Sequence, residues 1–268
     1  MKMLDMIWIM VSGLFCGIVF FWQASLIHYI NAMEEEDACE KCDRKKRCLA
    51  WRKIRNSNWM TEFTSLTYVA IHKYCRYTKC QYSSTCRYMV ISALINGILY
   101  CGLYYKYSLG VEFFLMALCT TDLIYVGIVD WRTQYIPVEF NVFILILGLI
   151  RLILQPEYWL ERLIGLCSIS VVLLMVDWVG GKLLHSDHVI GGGDIKLMAA
   201  AGLFLGWKLN IVAFVVGCIC GSVIHPIIMK IGKGERQLAF GPYLAMGIYI
   251  AMICGEQLMS WYLGIMGL

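Results

Sequence analysis

Charge is what this sequence is short of. Only 16% of its 268 residues are Asp, Glu, Lys or Arg, while 60% are hydrophobic. Soluble domains run nearer ~25% charged and ~45–50% apolar. The shortage excludes one soluble core under a solvated surface, because too few polar side chains exist to cover it; lipid must be the solvent for most of the chain. A mean hydropathy of +0.66 agrees. Other absences narrow the reading further. No Gly/Ser linker or low-complexity stretch divides the chain, so its pieces are expected to pack as one unit. No basic–aromatic alternation suggests base stacking, which leaves no place for a nucleic-acid partner, and the net charge of +4 reflects a loop bias instead. No small-residue cleavage pattern follows the first apolar run, which reads as a retained anchor rather than a signal peptide. No glycine fingerprint joins a strand to a helix, so the residues themselves point to no nucleotide-type cofactor.

What is present is a series of apolar runs, near 6–30, 89–105, 110–129, 138–154, 161–180, 196–207, 209–229 and 239–264. Most approach the ~17–25 residues a tilted membrane helix needs, and 196–207 is short. The fold class expected is all-α: a polytopic transmembrane helical bundle of about eight spans with a small cysteine-rich cytoplasmic insert. The organisation follows as a first transmembrane helix in 1–30, the insert in 31–88, and a membrane body in 89–268. Of the 23 Lys and Arg residues, all but Lys2, Lys106, Arg151, Arg162 and Lys208 fall in or beside the loops 31–88, 130–137, 181–195 and 230–238. Positive charge stays on the cytoplasmic side, so these loops face the cytoplasm and the N-terminus lies outside. The runs Glu34-Glu35-Glu36-Asp37 and Arg44-Lys45-Lys46-Arg47 of the insert read as a solvated face or a lipid-headgroup contact.

Asp122, Asp130, Asp177 and Asp194 lie in or near the spans, where a carboxylate is costly unless it faces water or a partner. Asp194 closes Gly191-Gly192-Gly193-Asp194-Ile195-Lys196 at the start of a span. Glycines there allow a substrate backbone to approach in extended form, and the helix N-terminus favours an anion. Asp130 ends one span and Pro137 opens the next as a good first helical residue. Each acid alone has a blander reading: a flexible loop for the first, a water-facing helix end for the second. Together they sit at one membrane depth on separate helices. Two carboxylates sharing a site hold one proton between them, so one can deprotonate a water while the other polarises a carbonyl. That is aspartic-peptidase chemistry.

The same residues carry a resemblance. Asp130 seven positions before Pro137, the Gly191, Gly193, Asp194, Lys196 pattern, and Phe240-Gly241-Pro242-Tyr243-Leu244-Ala245 are similar to the motifs of the type IV prepilin peptidases, membrane aspartyl proteases of the GxGD class. The likeness spans about 86–268 and is poor before it. It implies that Asp130 and Asp194 are the catalytic pair. The implied substrates are prepilins and pseudopilins, cut just after a glycine of their short basic leader at the cytoplasmic face of the bacterial inner membrane. The family often has Asp or Asn directly after the proline; here Val138-Glu139 follows, and Glu139 or Asn141 is a polar substitute. Substrate contacts are expected from Gly191, Gly192, Gly193, Pro137 and Lys196, the lysine serving equally as a plain interfacial cation or a phosphate contact. Asp122, two turns above Asp130, is expected to bond a neighbouring helix. Asp177 with His185, Asp187 and His188 invites a metal reading, although mixed residues in a loop are more often solvated.

Of 13 cysteines, Cys16, Cys101, Cys119, Cys167, Cys218, Cys220 and Cys254 fall inside spans and read as small packing residues. The rest form Cys39-x2-Cys42-x5-Cys48 and Cys75-x4-Cys80-x5-Cys86 in the insert. In a reducing compartment metal binding outweighs disulfides, and zinc would staple a loop without its own core. The family carries two Cys-x2-Cys pairs here. Cys39, Cys42, Cys75 and Cys80 are the expected ligands, with Cys48 or Cys86 able to replace one; Cys75 is five before Cys80 rather than three. Bifunctional members of the family also methylate the new N-terminus with S-adenosylmethionine, and the implication is weaker here because Gln23-Ala24-Ser25-Leu26-Ile27-His28 matches the family's first helix poorly. Three alternatives differ in class or in place of cleavage. A proton- or metal-coupled transporter would show ion flux and no processing, and its usual internal repeat is absent. A non-catalytic partner protein would have no need of both acidic motifs. A protease of the signal-peptide-peptidase type would cut inside the membrane.

Overall fold

The computed structural model describes residues 6–14, 16–17, 85–184, 190–231 and 239–267. Among these there is no strand. A first helix, α1, holds 6–14 and 16–17. It is followed by α2 (Thr85–Tyr107), α3 (Val111–Thr133), α4 (Val138–Leu154), a 3-10 turn (Pro156–Tyr158), α5 (Trp159–Leu184), α6 (Gly192–Leu205), α7 (Trp207–Ile231) and α8 (Gly241–Met266). The all-α expectation holds, and the span read at 138–154 coincides with α4. Among the described residues, four stretches are long and apolar enough to cross a membrane: Val111–Trp131, Pro156–Leu183, Trp207–Lys230 and Gly241–Met266. Large apolar side chains on their outer faces, such as Val172, Met175, Ile219 and Val223, are exposed, as lipid-facing residues are.

The chain divides into two compact units, Met1–Tyr100 and Cys101–Leu268. In the first, a Cβ added to Gly13 would stand 3.1 Å from the Gly97 Cα, so α1 and α2 cross at small residues. Most of the expected insert, with Cys39, Cys42, Cys48, Cys75 and Cys80, lies outside the described residues. The second unit carries the acids.

In that unit α6 is the inner element, packed by α4, α5, α7 and α8. Leu197, Met198, Ala200, Ala201, Leu203 and Phe204 are buried along it, as expected of a helix apolar all round. Its 14 residues reach only ~21 Å, short of the ~30 Å hydrocarbon layer. Its last residues, Phe204 and Leu205, are buried within the protein, so the carbonyls there need protein partners. Two guanidiniums serve: Arg151 from α4 and Arg162 from α5 each donate to the Phe204 carbonyl at 2.7 Å. Arg151 also pairs with Glu112 at 2.9 Å. Gln155 donates to Glu112 at 2.7 Å and accepts from Arg162 at 2.6 Å. Cations at a helix C-terminus complement its dipole as well.

Gly206, at φ +88°, turns the chain from α6 directly into α7. The apolar runs 196–207 and 209–229 thus meet at one residue in the left-handed region that glycine favours. Small residues let the helices cross closely, as is usual in membranes. A Cβ on Gly165 or Gly202 would strike the other's carbonyl, and one on Gly247 would strike that of Ala213. Asn210 bridges the first crossing, donating to the Gly165 and Met198 carbonyls, each at 3.2 Å.

Candidate active site

Asp130 lies in the last turn of α3 and is 5% exposed. The helix closes behind it: Gln134 adopts φ 53°, and its N–H donates to the Asp130 carbonyl at 2.8 Å. A carboxylate at a helix C-terminus faces the negative end of that helix's dipole. The N-terminus of α8 meets this end and reverses the field. The Gly241 N–H donates to Asp130 Oδ2 at 2.8 Å. Phe240-Gly241-Pro242 is suited to this task. Phe240 accepts the first helical bonds from Tyr243 and Leu244. Pro242 has no N–H to leave unpaired. At Gly241 any side chain is excluded, because a Cβ would stand 2.8 Å from Asp130 Oδ2 and 2.9 Å from Cγ.

Asp194 lies in the first turn of α6. Its N–H donates to the Gly191 carbonyl at 3.0 Å, which starts the helix. Among the described residues its buried Oδ1 has no hydrogen-bond partner, and such groups in native proteins ask for a functional explanation. Burial, with the Asp130 carboxylate second, pushes the Asp194 carboxyl from 3.8 up to about 7. The Asp130 carboxylate therefore lies within electrostatic reach of Asp194, and Gly193 stands against Ile136 of the α3–α4 loop.

The glycines before Asp194 are not equivalent. A Cβ on Gly193 would stand 2.9 Å from the Ile136 Cβ, and one on Gly191 would stand 2.9 Å from Asp194 Oδ2; at Gly192 nothing lies within 4 Å. The loop thus closes on Ile136 and opens outward at Gly192, while Pro137, next in the chain, is buried. Of the two polar substitutes weighed after the proline, Glu139 is exposed. Asn141 is buried in the first turns of α4 and donates to the Gly193 carbonyl at 3.4 Å. Lys196 is exposed.

Asp122 is buried within α3, and its Oδ2 has no hydrogen-bond partner among the described residues. Asp177 accepts the Ile190 N–H at 2.9 Å, whereas His185, Asp187 and His188 lie outside the described residues. Among the described residues no cluster of His, Cys, Asp or Glu is arranged to hold a metal ion. Cys16, Cys101, Cys119, Cys167, Cys218, Cys220 and Cys254 form no disulfide. Sequence reasoning missed the Gly241 amide and the arginine pair on Phe204. The Phe-Gly-Pro segment was the one available signal for the first, and a pair of arginines flanking apolar runs for the second.

Residues 113–225 match the type IV leader peptidase family. The chain is similar to a protein of Legionella pneumophila named prepilin leader peptidase/N-methyltransferase, 28% identical over 69% of this chain and 65% of the relative. It is similar to proteins of the same name from Stutzerimonas stutzeri, 27% identical over 87% of this chain and 76% of the relative, and from Bacillus subtilis, 28% identical over 63% and 67%. The chain thus spans just under two thirds of the Legionella relative's length. No solved structure matches it.

Proposed function

We propose that this chain, whose residues 113–225 match the type IV leader peptidase family, belongs to that family and is a membrane aspartyl endopeptidase. Its substrates are prepilin-like proteins, pilins or pseudopilins, from which it removes the basic leader at the cytoplasmic face of a bacterial inner membrane. What supports the reading is Asp130 held under the Gly241 amide, with its carboxylate acting electrostatically on the Asp194 carboxyl at the head of α6. A substrate's apolar helix would lie in the lipid beside the spans, and its basic leader would stay at the headgroups. The segment to be cut would extend along the open Gly192 side of the loop.

The pair supplies both halves of hydrolysis. Asp130, whose charge the Gly241 N–H stabilises, takes a proton from water. The water oxygen then bonds the scissile carbonyl carbon. Asp194, neutral up to about pH 7, gives its proton to the carbonyl oxygen; the proton taken by Asp130 then passes to the leaving nitrogen as the C–N bond breaks, and one hydroxyl of the tetrahedral carbon returns a proton to Asp194. The relatives' names also include N-methyltransferase. S-adenosylmethionine would be the methyl source for that second activity, and no methyl-transfer step follows from the described residues. Zinc at Cys39, Cys42, Cys75 and Cys80 remains a proposal from the sequence, tested by metal content of the purified protein.

The test is co-expression with candidate prepilins, scored by leader loss and by N-terminal mass. Asp130→Asn and Asp194→Asn are each expected to abolish cleavage in a protein that still folds and inserts. Full cleavage by either variant would remove the mechanism. A mass increase of one methyl group on the new N-terminus would establish the second activity.

A further inference from the structure

The segment Ile190–Asp194 must present its backbone to a substrate while carrying three glycines, the residues with most freedom to lose. Something must hold it. Its helix begins there, where Asp194 and Ile195 donate to the Gly191 carbonyl at 3.0 and 3.4 Å. On the substrate side of that turn the backbone is fixed by side chains from two other helices. Asp177 of α5 accepts the Ile190 N–H at 2.9 Å, reaching 13 residues ahead. Asn141 of α4 donates to the Gly193 carbonyl. The two bonds bracket Gly191 and Gly192, both exposed. Ile136 closes against the inner side of Gly193.

A carboxylate within the Pro156–Leu183 membrane stretch is expensive to keep, and nothing in the peptidase chemistry uses its charge. Its bond to Ile190 gives it a task. We propose that Asp177 is a positioning residue which, by accepting the Ile190 N–H, holds the glycine loop in its substrate-ready form and so sets the place of Asp194. This inference rests on the peptidase reading for its kinetic consequence, although not for the hydrogen bond itself. The task requires an oxygen acceptor at that point, not a negative charge. A metal ligand or an ion-pair partner at Asp177 would require the charge.

The experiment uses the full chain in detergent micelles with Asp177→Ala and Asp177→Asn. Hydrogen exchange of the peptide containing Ile190 is followed alongside cleavage of a prepilin. Asp177→Ala is expected to speed exchange at Ile190 and to lower kcat about 10-fold or more, the scale of a misplaced reacting group, with KM nearly unchanged. Asp177→Asn keeps the acceptor oxygen and is expected to restore both. Thermal melting identifies a variant that merely fails to fold, and the asparagine variant then decides the question through exchange alone. Unchanged exchange in Asp177→Ala overturns the proposal. So does an asparagine variant as impaired as the alanine one. A chain that cleaves no prepilin, yet shows the expected exchange pattern, sinks the peptidase reading and leaves the loop clamp standing.

Discussion

At Gly241 one methyl group is expected to decide activity. A Cβ there has to share space with the Asp130 carboxylate, 2.8 Å from Oδ2. Moving the carboxylate by about 1 Å can cost ~10²-fold, so Gly241→Ala is expected to lose at least that much kcat while the protein remains inserted. The glycines before Asp194 are expected to separate in the same way. Gly193→Ala forces a contact of 2.9 Å with the Ile136 Cβ and should cost about 1–3 kcal/mol of stability, as overpacking does, whereas Gly191→Ala meets only Asp194 Oδ2 and should displace that carboxylate, lowering activity more than stability. Gly192→Ala meets open space and should stay within about 0.5 kcal/mol in a melting assay. The pH response follows from Asp194. Its folded value of about 7 lies above its ordinary 3.8, so between those values the native state holds a proton that the unfolded chain has lost. Stability is therefore greatest below about 3.8 and falls as pH rises through about 7. Cleavage should decline above about 7 as that proton leaves. Replacing Asp130 with Asn removes the second cause of the shift, so carbodiimide labelling of Asp194 should titrate at lower pH; an unmoved titration would show the acids to be uncoupled. The acids were legible in the sequence because an aspartate beside an apolar run is chemically conspicuous. The Gly241 amide was not, since every residue but proline carries the same N–H and only the fold says where it points.

The element that governs the site is α6. Its N-terminal turn carries Asp194, and its C-terminal carbonyl at Phe204 is held by Arg151 and Arg162. Arg151 has the larger share, because it also pairs with half-buried Glu112. Arg151→Ala is expected to cost about 2–4 kcal/mol, from a lost charged hydrogen bond and a partly exposed ion pair. Arg162→Ala is expected to cost about 1.5–3 kcal/mol, as losing a charged hydrogen bond does. Melting curves in one detergent check both, and equal effects would contradict the ranking. Most helices were legible from hydropathy alone, α4 to the residue. The join of α6 to α7 was blurred because both sides are apolar and the break is one glycine at φ +88°. Apolar periodicity has no means of registering a single dihedral. Asp177 was visible as an acid in a span, but its partner Ile190 lies 13 residues away, beyond any local spacing rule.

For the whole molecule, the reading requires that the α3–α4 loop and the glycine loop face the same side of the membrane. A single cysteine introduced at exposed Tyr135, in a background without native cysteines, should react in intact cells with a permeant maleimide and resist an impermeant one. A cysteine at Glu157, in the Pro156–Tyr158 turn, should react with both. The reverse pattern would invert the topology and place the acids outside the cell. The loops differ from the spans in what composition can say of them: Lys and Arg counts give a side, whereas they give no contact.

Because α6 is tied at both ends, its length is itself a constraint on change over generations. One residue added between Asp194 and Phe204 would advance the helix by ~1.5 Å and turn everything beyond it by ~100°. Either the carboxyl group would swing away from Asp130 or the Phe204 carbonyl would turn from its arginines. Point substitutions that keep size can accumulate along α6, but insertions and deletions cannot. Homologous chains that keep the reaction should therefore share an ungapped stretch from the glycine loop to Gly206, however far their sequences have drifted.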